Sequence, residues 1–244
     1  MPEKQQRVAL VRHTADPESL TALGARLCYA GGDIDRLLTL IEEKDQKAFV
    51  EKIMSMGHES VLEHVSFTFL IEGVSRVLLA QLTRHRIASF SVQSQRYVSY
   101  ASGFGYIIPP AIEALGQEAV AEYESQMAQM QSWYEDWQKK LGDAGEKSNE
   151  DARFVLPNAC ETRVLLTMNA RELRHFFALR MCTRAQWEIR QMANSMFEQC
   201  VAVAPAMFRD AGPGCLRGAC PEGEKSCGRA KEIRQQREAF LKEL

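Results

Sequence analysis

Residues 161–182 carry the feature that most restricts how this chain can fold. ETRVLLTMN (161–169) has the β-branched, apolar character of a strand, and ARELRHFFALRMC (170–182) has the period of a helix, with no linker between them. Asn169 followed by Glu172 forms a capping box, which places the helix start at Ala170. A second strand, VSFTFLIEG (65–73), alternates in the same way, and Ser75 stands where it can cap the short helix RVLLAQLTRHR that follows. The remaining pattern is mostly helical. VALVRH (8–13) reads as a first strand and ESLTALGARLCYA (18–30) as a helix stopped by Gly31-Gly32. One or two helices are expected over 34–57, strand and turn over 97–110, and a long helix over 111–141 broken by the polar stretch 142–151. A helix is expected over 185–208, then a loop over 212–228 and a charged closing helix. Helices exceed strands and the strands are scattered among them, so the expected class is α+β, with mixed helices packed on a small central sheet. A chain of 244 residues without a repeat or a marked boundary is expected to be one domain, 1–244, ending in a Cys/Gly-rich loop and helix tail at 212–244.

Charge is ordinary in total and unusual in place. The formal net charge is -2, yet no acidic residue lies between Glu72 and Glu113 while Arg76, Arg84, Arg86 and Arg96 all do. A local excess of this kind suits a small anionic ligand better than a long polyanion, and without a global basic surplus a nucleic-acid-binding module is disfavoured. The centre of the excess is RHRIASFSVQSQRY (84–97). On a helix over 75–86, Gln81 and Arg84 share a face with His85, and in an extended segment beyond it Val92, Ser94 and Arg96 fall on one side. Two readings stay open from spacing: a solvated basic face, or a cradle for a phosphorylated ligand built from arginine forks and serine hydroxyls.

In NARELRHFFALR (169–180), Leu173, Phe176 and Phe177 form one apolar helical face, with Arg180 on that same face and Arg171 and His175 opposite. An arginine in an apolar stripe is costly unless it is paired or meets a ligand, so a buried ion pair, a snorkelling stem and a ligand contact all remain open. GHESVLEHVSF (57–67) holds His58 and His64 on different helical faces, which is not the zincin spacing, so no metal site is expected there. The seven cysteines are expected to be reduced thiols, and the C-x4-C-x6-C run of Cys215, Cys220 and Cys227 matches no standard zinc spacing. No G-x-G-x-x-G loop follows a strand and no Walker A loop is present, so any nucleotide must bind outside those frameworks. Without a long apolar run for a signal or membrane span, a cytoplasmic location is expected.

Taken together, RHRIASFSVQS, with Arg-His-Arg, seven residues and then Ser94, resembles the signature of the flavin-dependent thymidylate synthases. The resemblance extends to GHESVLEHVSFTF, DARFVLPNACETRVLLTMNARELRHFFALR and AQWEI, covering roughly residues 55–190 in order. It implies a homotetramer of α+β subunits, with active sites that draw on several chains. The implied reaction is reductive methylation of deoxyuridine monophosphate (dUMP) to thymidylate, with FAD as cofactor, 5,10-methylenetetrahydrofolate as carbon donor and NADPH as reductant.

Carried over by position, the resemblance implies FAD contacts at Ser60, Arg84, His85, Arg86, Val92, Asn169, Ala170, Arg171 and His175. It implies nucleotide contacts at Gln81, Leu82, Thr83, Arg84, Val92, Gln93, Ser94, Gln95, Arg96, Arg153 and Arg180, with Arg180 as the activating residue. A guanidinium against the uracil would stabilise negative charge on the ring. The resemblance implies that reduced flavin delivers hydride to the activated ring, so no enzyme nucleophile is needed, and Ser94 is expected to be a hydrogen-bonding ligand. The chain departs from the commoner family pattern at Ser91 and Val92, so any contact at Val92 must use main chain.

Overall fold

The computed structural model describes residues 3–31, 33–42 and 45–243. Its strands are β1 (Arg7–His13), β2 (Ser66–Ser75), β3 (Ala88–Val92) and β4 (Glu161–Asn169). Its helices are α1 (Pro17–Leu27), α2 (Ile34–Glu42), α3 (Lys47–Ser55), α4 (Arg76–Leu82), α5 (Pro110–Glu113), α6 (Gln117–Lys140), α7 (Glu146–Ala152), α8 (Ala170–Arg180), α9 (Trp187–Val203), α10 (Pro205–Phe208) and α11 (Ala230–Glu243). The strands form one antiparallel sheet in the order β1-β2-β4-β3, so the class is the expected α+β. Alternation sets the buried side: Phe67, Phe69 and Ile71 of β2 and Thr162, Val164, Leu166 and Met168 of β4 are all buried. No helix among the described residues is long and apolar enough to cross a membrane.

The chain divides into two compact units. The first unit comprises Met1–Val8, Leu70–Arg84 and Phe90–Leu165. Its core gathers Tyr100, Phe104, Tyr106, Ile108, Met127 and Tyr134. Gly73 in β2 has φ +66, and a Cβ there would lie 1.9 Å from the Gln5 carbonyl oxygen, so only glycine fits. The second unit comprises Ala9–Phe69, His85–Ser89 and Leu166–Leu244. Phe208 stands edge-on to Phe67 at 5.4 Å and to Phe177 at 6.0 Å, and Phe177 meets Phe197 at 5.7 Å. Each such buried ring contributes about 1.5–3 kcal/mol of transfer free energy.

Several sequence expectations change. The helix expected over 18–30 ends at Leu27, and Gly32, half of its expected stop, lies outside the described residues. Residues 34–57 form two helices; Glu43 and Lys44 between them are also outside the described residues. The helix expected over 75–86 stops at Leu82, with Thr83 as its C-cap, whose hydroxyl and amide both donate to the Leu79 carbonyl. The extended segment expected to carry Val92, Ser94 and Arg96 ends at Val92; Ser94 Oγ then accepts the Arg96 and Tyr97 amides at 3.1 and 3.4 Å and closes a turn. In 97–110 no named strand forms, and only Tyr106 makes isolated bridges, to Glu3 and Cys160. The helix over 111–141 breaks at Gly116, where φ is +100. The supposed polar break contains α7, whose buried Ser148 and Asn149 are polar and so leave no apolar period to read. The helix over 185–208 breaks before Pro205, as a missing N–H requires.

Candidate active site

In the second unit four of the expected flavin residues, Asn169, Ala170, Arg171 and His175, lie at or near the start of α8, and His85 stands against that helix. Asn169 Oδ1 accepts the Glu172 amide at 2.8 Å, which is the expected cap, and the Ala170 amide donates to the Val65 carbonyl at 2.8 Å. The Glu172 carboxylate turns to His85 Nδ1 at 3.0 Å rather than completing the box. On the other side of the ring, Arg180 Nε donates to His85 Nε2 at 3.1 Å. A guanidinium can only donate, so Nε2 must be unprotonated and the imidazole proton sits on Nδ1, donated to Glu172. His85 is therefore neutral. Burial lowers its pKa, the Glu172 hydrogen bond opposes that, and the Arg180 charge lowers it further, leaving it below the usual imidazole value. Phe176 packs edge-on against the ring at 4.9 Å and fixes its plane.

Arg180 is the last residue of α8 and is half-buried, so it does not lie within the fully buried stripe of Leu173, Phe176 and Phe177. The buried arginine of this helix is Arg174, which sequence reasoning passed over. It holds Asp210 through two bonds of 2.6 and 2.9 Å, Glu59 at 3.0 Å and the Met207 carbonyl at 2.5 Å. Burial alone would lower the Arg174 pKa, and the Asp210 and Glu59 carboxylates more than offset it, so the guanidinium is held charged. Its position in ARELRHFF, six residues before Arg180, offers no sequence signal that distinguishes it.

Beside this network lies a cavity of about 570 Å³. Asn169, Arg171 and His175 line it, together with Glu172, Arg174 and Arg217. Arg171 pairs with Glu63 at its rim, and Arg217 stands 3.8 Å from Asp210. Of the other expected flavin residues, His85 stands behind the wall through Glu172, Ala170 is buried at the helix start, and Ser60 and Arg86 are exposed. Donors of this kind fit a flavin dinucleotide: guanidinium groups match a pyrophosphate, and Ile87 and Ala178 supply apolar wall for a ring system. His85, Glu172 and His175 also place three ligand atoms within 4.8 Å of one another. With both His85 nitrogens engaged and Arg180 beside them, that set is a poor host for a cation.

In the first unit the expected nucleotide residues are held by loops. Gln81 and Leu82 end α4, where Leu82 is fully buried and so offers a ligand only main chain; Thr83 and Arg84 are exposed just beyond. The Gln93 amide donates to Arg163 O at 2.9 Å, and its carbonyl accepts from Arg76 at 3.1 Å. Gln95 donates to Cys160 Sγ at 3.6 Å. Arg96 is clasped by Glu146 at 2.5 Å and Glu150 at 3.2 Å, while its carbonyl accepts from buried Asn149 at 3.0 Å. Arg153 Nε donates to the Glu150 carbonyl at 3.0 Å. The acidic partners come from α7, the helix that the sequence concealed.

The match to known proteins follows the same residues. The family described as thymidylate synthase complementing protein matches residues 9–206. A protein of Geobacter sulfurreducens named flavin-dependent thymidylate synthase is 53% identical over 230 residues, covering 94% of this chain and 97% of its own length. Relatives of the same name from Nitratidesulfovibrio vulgaris and Clostridium tetani are 50% and 46% identical, each over 94% of this chain and at least 96% of their own length. Near-complete coverage at this identity includes the arginine-rich turn and α8 alike, and the chain belongs to the flavin-dependent thymidylate synthase family.

Proposed function

We infer that this chain makes thymidylate from dUMP by flavin-dependent reductive methylation, with methylenetetrahydrofolate as carbon donor and NADPH as reductant. The observation that carries the reading is the Glu172–His85–Arg180 relay beside a cavity with a flavin-compatible donor set. Asn169, Arg171 and His175 would hold the flavin, with His85 buttressing α8 from behind. Flavin bound there supplies the two-electron reducing chemistry.

The protein's own part is positioning. Glu172 fixes the His85 tautomer, and neutral His85 takes the Arg180 Nε–H, which aims the guanidinium without quenching its charge. A charge so held would stabilise the uracil as its ring proton is lost, at no reorganisation cost during the reaction. Gln81, Leu82, Thr83, Arg84, Val92 to Arg96 and Arg153 would bind the nucleotide, with Arg84 and Val92 also reaching flavin. Ser94 would serve as a ligand: its oxygen already accepts two amides. The whole chain would act as one synthase domain in a cytoplasmic homotetramer whose active sites draw residues from several chains.

The test is spectroscopic and catalytic. Purified protein should be yellow or become so with FAD, dUMP should perturb the flavin spectrum, and thymidylate should form only with methylenetetrahydrofolate and NADPH present. A colourless protein that cannot be reconstituted would overturn the reading.

A further inference from the structure

The tail loop reads in sequence as three thiols without a role, but the fold brings a fourth to them. Cys182 lies in the turn just after α8, and Cys182, Cys220 and Cys227 all stand within electrostatic range of the Cys215 thiol. Contacts that do not involve sulfur tie these segments together. Gly214 runs so close to Pro221 that a Cβ would lie 2.8 Å from its ring, folding the chain back between Cys215 and Cys220. Arg184, two residues past Cys182, pairs with Glu222, two residues past Cys220. Arg234 donates to the Cys215 carbonyl at 2.7 Å and to that of Gly218.

We propose that Cys182, Cys215, Cys220 and Cys227 bind one soft divalent metal ion, zinc, as a closed tetrathiolate centre. Four thiolates are the donor count of a structural zinc site, and zinc needs no further ligand. From Leu216 to Gly228 no residue is buried, so the loop has no apolar core of its own to hold it; a metal staple is the usual remedy for such a segment. Arg234 lies against the knot on carbonyl oxygens, and its charge offsets part of the net negative charge of a zinc tetrathiolate. The four sulfurs are together spaced more widely than the 4.8 Å that encloses the His85, Glu172 and His175 donors. Loading draws them to the roughly 3.8 Å edge set by a Zn–S distance of about 2.3 Å. A Cβ at Gly218, Gly223 or Gly228 would meet nothing within 4 Å, so the loop has room to close. The zinc pattern escapes a sequence scan because Cys182 belongs to a different element from the other three.

One consequence rests on the flavin reading above: Arg217, between Cys215 and Cys220, lines the 570 Å³ cavity, so the staple would position a flavin contact. The metal assignment itself does not depend on flavin. The test is metal analysis of the untagged full-length protein after dialysis against chelator, with and without bound FAD. The expected result is about one zinc per chain, released stoichiometrically by a mercurial reagent. Cys182→Ser and Cys227→Ser should each abolish retention, and Cys28→Ser, at an exposed thiol elsewhere, should leave it unchanged. Cobalt loading should give tetrahedral ligand-field bands in the red, clear of flavin absorption. Cys227 is exposed, so its variant reads the site even if Cys215→Ser fails to fold. Protein that carries no metal and titrates as seven free thiols, a disulfide among these four, or iron with acid-labile sulfide would each overturn the zinc assignment. Zinc present in a protein that takes up no flavin would uphold it while the flavin reading failed.

Discussion

The two groups of candidate residues are held in opposite ways. In the second unit, His85 is buried and locked between Glu172 and Arg180, and Arg174 is buried among Asp210, Glu59 and a carbonyl. In the first unit, Arg96 is clasped by Glu146 and Glu150, with all three side chains more than two-fifths exposed. Buried polar groups with satisfied partners have one geometry and a high cost of disruption. Exposed ion pairs are worth about 0–1 kcal/mol and exchange readily for another anion. The contrast suits the two tasks. On the proposed assignment, a residue that would meet a transition state is fixed beforehand, and residues that would take up and release a phosphorylated substrate are held by carboxylates the ligand could displace.

The largest expected effect is at Arg180. Arg180→Ala should retain FAD and lower kcat by about 10²- to 10³-fold, the range for removing one preorganised donor. Steady-state kinetics with flavin quantitation checks it, and wild-type turnover would remove Arg180 from the chemistry. Asp210→Ala leaves Arg174 with one carboxylate fewer in a buried place and should cost about 3 kcal/mol of stability, read as a fall in Tm. Arg96→Ala, by contrast, should cost less than about 1 kcal/mol and should raise KM for dUMP more than it lowers kcat. If Asp210→Ala and Arg96→Ala destabilise equally, the contrast between the two groups is wrong.

A pH experiment sharpens the same comparison. His85 has a folded pKa below its unfolded value of about 6.5, so the unfolded state binds the proton more readily. Its contribution is complete above that pH and is lost as the pH falls through it toward the folded pKa, because protonation removes the acceptor for Arg180. Tm should decline on acidification through this window and kcat at its lower end, where folded His85 takes up its proton, and His85→Gln should flatten both declines. The smallest effect is expected at Ser94. Ser94→Ala loses an acceptor of two amides, should cost about 1 kcal/mol and should keep measurable turnover. Complete loss of turnover with intact nucleotide binding would restore a nucleophilic role.

Much of this was legible in the chain. The strand-to-helix junctions at Ser75 and Asn169 are read correctly because a cap is a local event, decided by a few consecutive residues. The alternation of VSFTFLIEG is local too. The expectations that changed depend on contacts distant in sequence. α7 is stabilised by burying Ser148 and Asn149 against polar partners, so it has no hydrophobic signature. Arg174 and Arg180 sit on one helix with similar neighbours, and only the positions of Asp210, Glu59 and His85 assign the first to structure and the second to the relay.

Family, fold class and the residue types of the site were therefore determined by the sequence itself, because motifs and caps are short-range patterns along the chain. Which nitrogen of His85 holds its proton, which arginine is buried, and which cysteine of another element lies near the tail thiols were decided only by tertiary structure. Each of these is set by a partner from another element, and distance along the chain says nothing of distance in space.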